Sequence, residues 1–421
     1  MSEPSPERTR ARVVVIGGGA AGFFGAIACA ETAGRALDIV IVERGREVLG
    51  KVRISGGGRC NVTHDLDDPR ALSECYPRGA KALLGPLHRW RQSDTVAWFE
   101  ARGVELKTES DGRMFPTTDR ASTVIDCLRG AAQELGVRVE TGCGVRVVNT
   151  RGEGGFEILT EDGNELLADA VLIATGGTRS GSACAPSIST GHELEPAVPS
   201  LFTIRIQDPT LTGLAGVSVP EAVVSVAGSK FSARGPLLAT HWGLSGPAVL
   251  KLSAWGAREL EGRGYRFELV VDWLGAGVSE EAVQACFERQ RREHGARQVA
   301  KRSPFEKLPR RLWARLVSAA GVPAGATWSV LSKAAGAGLC DALRGERLPV
   351  TGKSLNKDEF VTCGGVRLQD IDLKTMGSRR VPGLYFAGEV LDIDGLTGGF
   401  NFQSAWTTGR IAGEAIAEQL R

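Results

Sequence analysis

Two glycine-rich motifs, one near each end of the 421-residue chain, constrain its fold more than any other feature. Val13-Val14-Val15-Ile16 runs into Gly17-Gly18-Gly19-Ala20-Ala21-Gly22, and small residues continue to Ala33. An apolar run, a glycine turn and a helix start in that order make a strand–turn–helix, and Asp38–Glu43 completes a βαβ unit. At the other end, Gly383-Leu384-Tyr385-Phe386-Ala387-Gly388-Glu389 precedes Asp392-Ile393-Asp394-Gly395 and Thr397-Gly398-Gly399-Phe400-Asn401-Phe402. If both motifs build one site, whatever lies between them is inserted into the domain that holds it.

The first motif has the chemistry of a dinucleotide pyrophosphate site. Gly17 permits a tight turn, Gly19 lets backbone approach a phosphate, and Gly22 lets helix and strand pack closely. Ala20 and Ala21 open the helix, whose N-terminus faces the negative charge. Glu43, about 20 residues on, is placed to accept from adenosine ribose hydroxyls, and an acidic residue there disfavours the 2′-phosphate of NADP. In the second motif, Gly388 and Glu389 follow a strand, with Glu389 set to bind ribityl hydroxyls. Gly398 and Gly399 admit a flavin ring, Phe400 follows them, and a helix beginning at Asn401 points its positive end at the side where reduced flavin carries negative charge. The cofactor these motifs imply is FAD.

A third motif, Ser55-Gly56-Gly57-Gly58-Arg59-Cys60-Asn61, offers successive backbone N–H groups to an anion, with Arg59 as a fixed cation. Residues 50–61 are too glycine-rich for a regular element, so a loop is predicted. Cys60 is either a redox thiol or a small buried residue beside the cofactor. Arg44, Lys51, Val145 and the turn Ala174-Thr175-Gly176 complete the expected cofactor contacts. His241, in His241-Trp242-Gly243-Leu244-Ser245-Gly246-Pro247, is the candidate catalytic residue, a proton donor or acceptor at the flavin face. A structural histidine in a turn is the competing reading.

The fold class expected is α/β: a Rossmann-like FAD domain over 1–195 and 353–421, an inserted β domain over 196–278 and 332–352, and a helical insertion over 279–331. Residues 1–11 read as a disordered polar tail, and 348–360 as the return to the first domain. A net charge of +2 gives no argument for nucleic acid as a main partner. The local exception is the arginine-rich run Arg289–Arg315, read as a solvated helical face. Nine irregularly spaced cysteines without a C-x-x-C pair support neither a disulfide framework nor a thiolate metal site, and none is expected. Glycines interrupt the apolar stretch from Val13 to Ala30, which excludes reading it as a secretory signal. A cytoplasmic protein without membrane association is expected, its oligomeric state left open.

Taken together, GGGAAG, KVRISGGGRCNVTH, THWGLSGP and GLYFAGEVLDIDGLTGGFNFQSAW resemble the aminoacetone-oxidase-like FAD flavoproteins, a group that also includes a bile-acid-pathway reductase. The resemblance covers nearly the whole chain. It implies a glutathione-reductase-type FAD domain interrupted by a β-barrel-like domain with a helical insertion. The activity expected is hydride transfer between flavin N5 and a small organic substrate. Reduction of an activated double bond and oxidation of an amine by O2 are the two versions, and a flavin-containing protein that binds or modifies RNA is the alternative from another class. With one dinucleotide motif, NAD(P)H could serve only as a transient electron donor.

Overall fold

The computed structural model describes residues 10–178, 180–353 and 361–421. Most of the expected polar tail, and the end of the expected return segment, lie outside the described residues. The chain divides into two units, Met1–Val198 with Val361–Arg421, and Pro199–Phe360.

The first unit is built on a seven-stranded sheet. Its order is Ile371–Asp372, Gly377–Ser378, Leu384–Phe386, Ala170–Ile173, Arg12–Ile16, Asp38–Glu43 and Arg138–Thr141. The last five strands run parallel, and the first two join antiparallel. Val13–Ile16 and Ile39–Val42 are buried almost completely, which is why they read as unbroken apolar runs rather than alternating ones. Leu384–Phe386 comes from the far end of the chain and lies beside Ala170–Ile173, which lies beside Arg12–Ile16. Both ends of the sequence therefore share one sheet.

The helices Ala20–Ala33 and Phe400–Leu420 pack on each other. Small residues make this possible. A Cβ on Gly413 would stand 2.1 Å from the Gly25 carbonyl oxygen, and one on Gly409 2.7 Å from that of Ala21. The two backbones come as close as atoms allow.

The second unit contains a closed six-stranded barrel formed by Ile204–Ile206, Gly243–Ser245, Ser232–Ala239, Ser218–Val226, Phe267–Asp272 and Glu346–Lys353. Buried Leu348 and Val350 alternate with exposed Arg347 and Pro349. This segment is thus a barrel strand pairing with Ile204–Ile206, not a return to the first domain. Helices Glu280–His294, Arg310–Ala319 and Lys333–Gly345 lie between Phe267–Asp272 and this strand, so helical structure continues past residue 331. The inserted β domain expected over 196–278 also contains helices Pro247–Trp255 and Ala257–Gly262; Pro247 sits in the first turn, where its missing N–H costs nothing.

Candidate FAD site

Gly17 adopts φ +113°, and its N–H donates to the Val42 carbonyl at 2.8 Å. A Cβ there would lie 2.3 Å from the Ala174 carbonyl oxygen, so the first glycine is required where two strand ends meet. A Cβ on Gly22 would lie 1.9 Å from the Gly17 oxygen. Gly19 differs: nothing stands within 4 Å of the side chain it lacks. It caps the helix Ala20–Ala33 without any side-chain hydrogen bond, and the first turn holds no acidic residue. Open space beside Gly19 at a helix N-terminus makes a cradle suited to a pyrophosphate.

Glu43 stands at the end of the next strand. Its two oxygens accept from the N–H groups of Gly18 and Gly45, each at 2.7 Å. Those bonds fix the carboxylate and leave lone pairs for ribose hydroxyls. The Cys143 N–H donates to the Glu43 carbonyl at 2.9 Å, which brings the segment leading into Val145 alongside. The Val145 side chain itself is buried in the core. Arg44 is exposed and hydrogen-bonds Ser182, in a helix Gly181–Ser189.

Residues 50–61 are not wholly loop. A helical turn covers Gly50 to Ile54, where no glycine interrupts after the first residue; the chain then extends at Ser55 and turns left-handed at Gly56, Gly57 and Gly58. Gly57 and Gly58 are exposed, with open space around them. Arg59 is turned away from the role of a free cation: it pairs with Glu109 at 2.6 Å and stacks over the Phe115 ring at 3.9 Å. Cys60 is fully buried, and burial pushes its thiol up to about 12, which leaves no thiolate for redox chemistry.

The C-terminal motif closes onto these segments at several points. Lys51 pairs with Glu389, whose other oxygen accepts from the Thr362 N–H at 2.8 Å. A Cβ on Gly177, just past Thr175-Gly176, would strike Thr362 and Glu389. A Cβ on Gly388 would lie 2.7 Å from that of Ala21. Asn61, with its amide oxygen toward Gly399, accepts from that residue's N–H at 2.9 Å and donates to the Thr63 carbonyl at 3.0 Å. The last helix starts at Phe400, capped by Gly399 at φ +97°. The Asn401 side chain holds the Gly395 backbone at both its N–H and its carbonyl, at 2.8 and 3.0 Å.

Three contributors escaped the sequence reading. His64 stacks on Phe400 with ring centroids 4.5 Å apart, and its Nδ1 meets the Gly398 carbonyl at 2.9 Å. Tyr76 donates to the Phe400 carbonyl at 2.7 Å. Arg78 pairs with the fully buried Asp394. The signal for Arg78 was the acidic Asp392-Ile393-Asp394 run, which requires a cation if buried. His241 lies in the second unit, exposed beside Trp242 in the turn between Ser232–Ala239 and Gly243–Ser245.

A family profile described as HI0933-like protein Rossmann domain matches residues 11–415. The chain belongs to this family. It is 30% identical to the 3-dehydro-bile acid delta(4,6)-reductase of Clostridium scindens, over 97% of this chain and 99% of the relative. It is 31% identical to the ribosomal RNA dihydrouridine synthase of Escherichia coli, over 94% and 95%. A 3-ketosteroid delta1-dehydrogenase structure from Sterolibacterium denitrificans matches with a TM-score of 0.52 at 13% identity, covering 98% of this chain and 100% of that one, and so shares the fold. This family member is an FAD-dependent oxidoreductase. Among the described residues no helix is long and apolar enough to cross a membrane.

Proposed function

We propose that this enzyme reduces a carbon–carbon double bond conjugated to a carbonyl. The observation that carries the proposal is the pair of relatives. A delta(4,6)-reductase acting on a 3-dehydro bile acid and a dihydrouridine synthase have unlike substrates, yet both names describe saturation of such a bond. Reduced FAD, when bound, would supply the hydride from N5. The reading assigns the protein three tasks. The helix start at Ala20-Ala21 and the open backbone at Gly19 hold the pyrophosphate, and Glu43 holds the adenosine ribose. Lys51 and Glu389 flank the ribityl chain, with Gly398, Gly399 and Phe400 beside the ring. His241 delivers the proton that the carbanion next to the carbonyl must receive, a contribution of about 10²–10⁴-fold. NAD(P)H serves as a reductant docking only transiently.

An RNA uracil as the substrate, in place of a small enone, is favoured by the exposed arginines of the helical region and by the second relative's name. Anaerobically reduced enzyme mixed with a 4-en-3-one steroid, or with uridine-containing RNA, is expected to recover the oxidised flavin spectrum as the double bond is saturated. Reoxidation by O2 alone, with peroxide formed from an amine, would overturn the reading in favour of an oxidase. Glu43→Arg is expected to weaken FAD retention by removing the ribose acceptor; unchanged FAD affinity would remove Glu43 from the ribose.

A further inference from the structure

In the first unit, several arginines are matched to carboxylates. Arg12 and Arg138 share Asp38, Arg102 and Arg410 share Glu31, and Arg367 meets Glu193 and Glu195. The helical part of the second unit is different. Arg289, Arg292, Arg297, Lys301, Arg302 and Arg310 are exposed, and among the described residues none of them forms an ion pair. Between Arg289 and Arg302 the only carboxylate in the sequence is Glu293. Neighbouring basic residues are tied down: Arg291 donates to the Leu331 carbonyl at 2.6 Å, and Lys307 pairs with Glu221 at 3.0 Å.

The backbone that carries these charges is anchored. Phe287, Phe305, Trp313 and Trp328 form an aromatic cluster with centroids 5.5–6.4 Å apart. Trp313 Nε1 donates to the Val299 carbonyl at 2.7 Å, Val299 N–H to Ala326 at 2.9 Å, and Trp328 N–H to Arg297 at 3.0 Å. Like charges held a few residues apart on fixed backbone repel one another unless salt screens them or an anion neutralises them. Guanidinium groups suit phosphate because they donate two parallel hydrogen bonds.

We infer that this basic surface, Arg289–Arg302 with Arg310, binds the phosphate backbone of RNA. The inference deepens the double-bond reading and takes its functional meaning from it, but its test reads affinity and not turnover. Oxidised holoenzyme is titrated with a labelled uridine-containing RNA stem-loop across a salt series, with poly-glutamate as an anionic control. Wild-type enzyme is expected to bind RNA with a steep salt dependence and to prefer it clearly over poly-glutamate. Joint substitution Arg292→Gln, Arg297→Gln, Lys301→Gln and Arg302→Gln is expected to lower the log–log salt slope by roughly 3 and affinity at least about tenfold, with FAD retained. The charge-reversed set, each residue →Glu, is expected to abolish binding. RNA affinity unchanged in the Gln variant, or poly-glutamate bound as tightly as RNA, would overturn the inference. A failed double-bond reading would instead appear in the reoxidation experiment, which leaves this titration unaffected.

Discussion

In the first unit, the helices Ala20–Ala33 and Phe400–Leu420 meet through Gly25, Gly409 and Gly413, backbone against backbone. In the second, Glu280–His294 and Arg310–Ala319 are held by Phe287, Phe305, Trp313 and Trp328. The difference follows from what each region must do. A crevice between strand ends and helix starts needs backbone N–H groups brought near a ligand, and side chains would obstruct that approach. A helical region that carries charge on its outside needs only bulk apolar area within. Additions should therefore injure the first region most, and deletions the second.

The largest effect is expected from Trp313→Ala. Removing a fully buried indole and its hydrogen bond to Val299 should cost about 3–5 kcal/mol. The loss should fall on the second unit, with FAD retained by the first, as read by Tm and flavin absorbance. Loss of FAD in step with the fold would break the comparison. Next comes Gly413→Val, which drives a side chain into the Gly25 carbonyl and is expected to cost about 1–3 kcal/mol. Here FAD should be released, because the displaced helix carries Gly399 and Phe400; a variant that keeps stoichiometric FAD would show that the close approach is not needed.

The smallest effects are in pH dependence, and the two regions should respond with opposite sign. Burial pushes the Glu346 carboxyl above its ordinary 4.5, although the Trp273 hydrogen bond and Arg315 oppose it. Ionising it costs the folded state, so stability falls as pH rises from 4.5 through the raised value. Glu346→Gln should raise Tm at about pH 8, with the gain fading toward about pH 4. In the first unit, burial holds His192 below its ordinary 6.5 against the pull of Asp370. Its neutral ring, bonded to Thr190 and Ser378, supports the fold above 6.5, and that support is lost as pH falls through the lowered value. His192→Gln should flatten that acid limb. Equal slopes in wild type and variant would exclude His192 as its source.

Local rules made the crevice legible. The strands Arg12–Ile16 and Asp38–Glu43 and the helix Ala20–Ala33 fall where apolar runs and glycines placed them, since fully buried parallel strands leave an unbroken apolar signature. The glycines at 17 and 22 were readable because their need is steric and short-range. Other features were not. The helices Pro69–Ser73 and Ala80–Arg89 are short and lack long periodicity, so no pattern announced them. The strand Glu346–Lys353 alternates between buried and exposed positions, but its destination depends on Ile204–Ile206 and Phe267–Asp272, both far away in sequence.

The sequence by itself determined the strand, glycine turn and helix around Gly17 and the strand with its glycine-rich turns beyond Gly383, because glycine spacing and strand–turn–helix order are local properties. Tertiary structure alone decided how the charges are used. Arg59 looked like a cation for an anion and is held by Glu109 and Phe115, while Arg78 had no motif and is matched to buried Asp394. The arginines of 289–302 looked like an ordinary solvated face and stand exposed without ion pairs among the described residues. Whether a charge is neutralised depends on which distant carboxylate the fold brings within a few ångströms, and that distance is written nowhere in the local sequence.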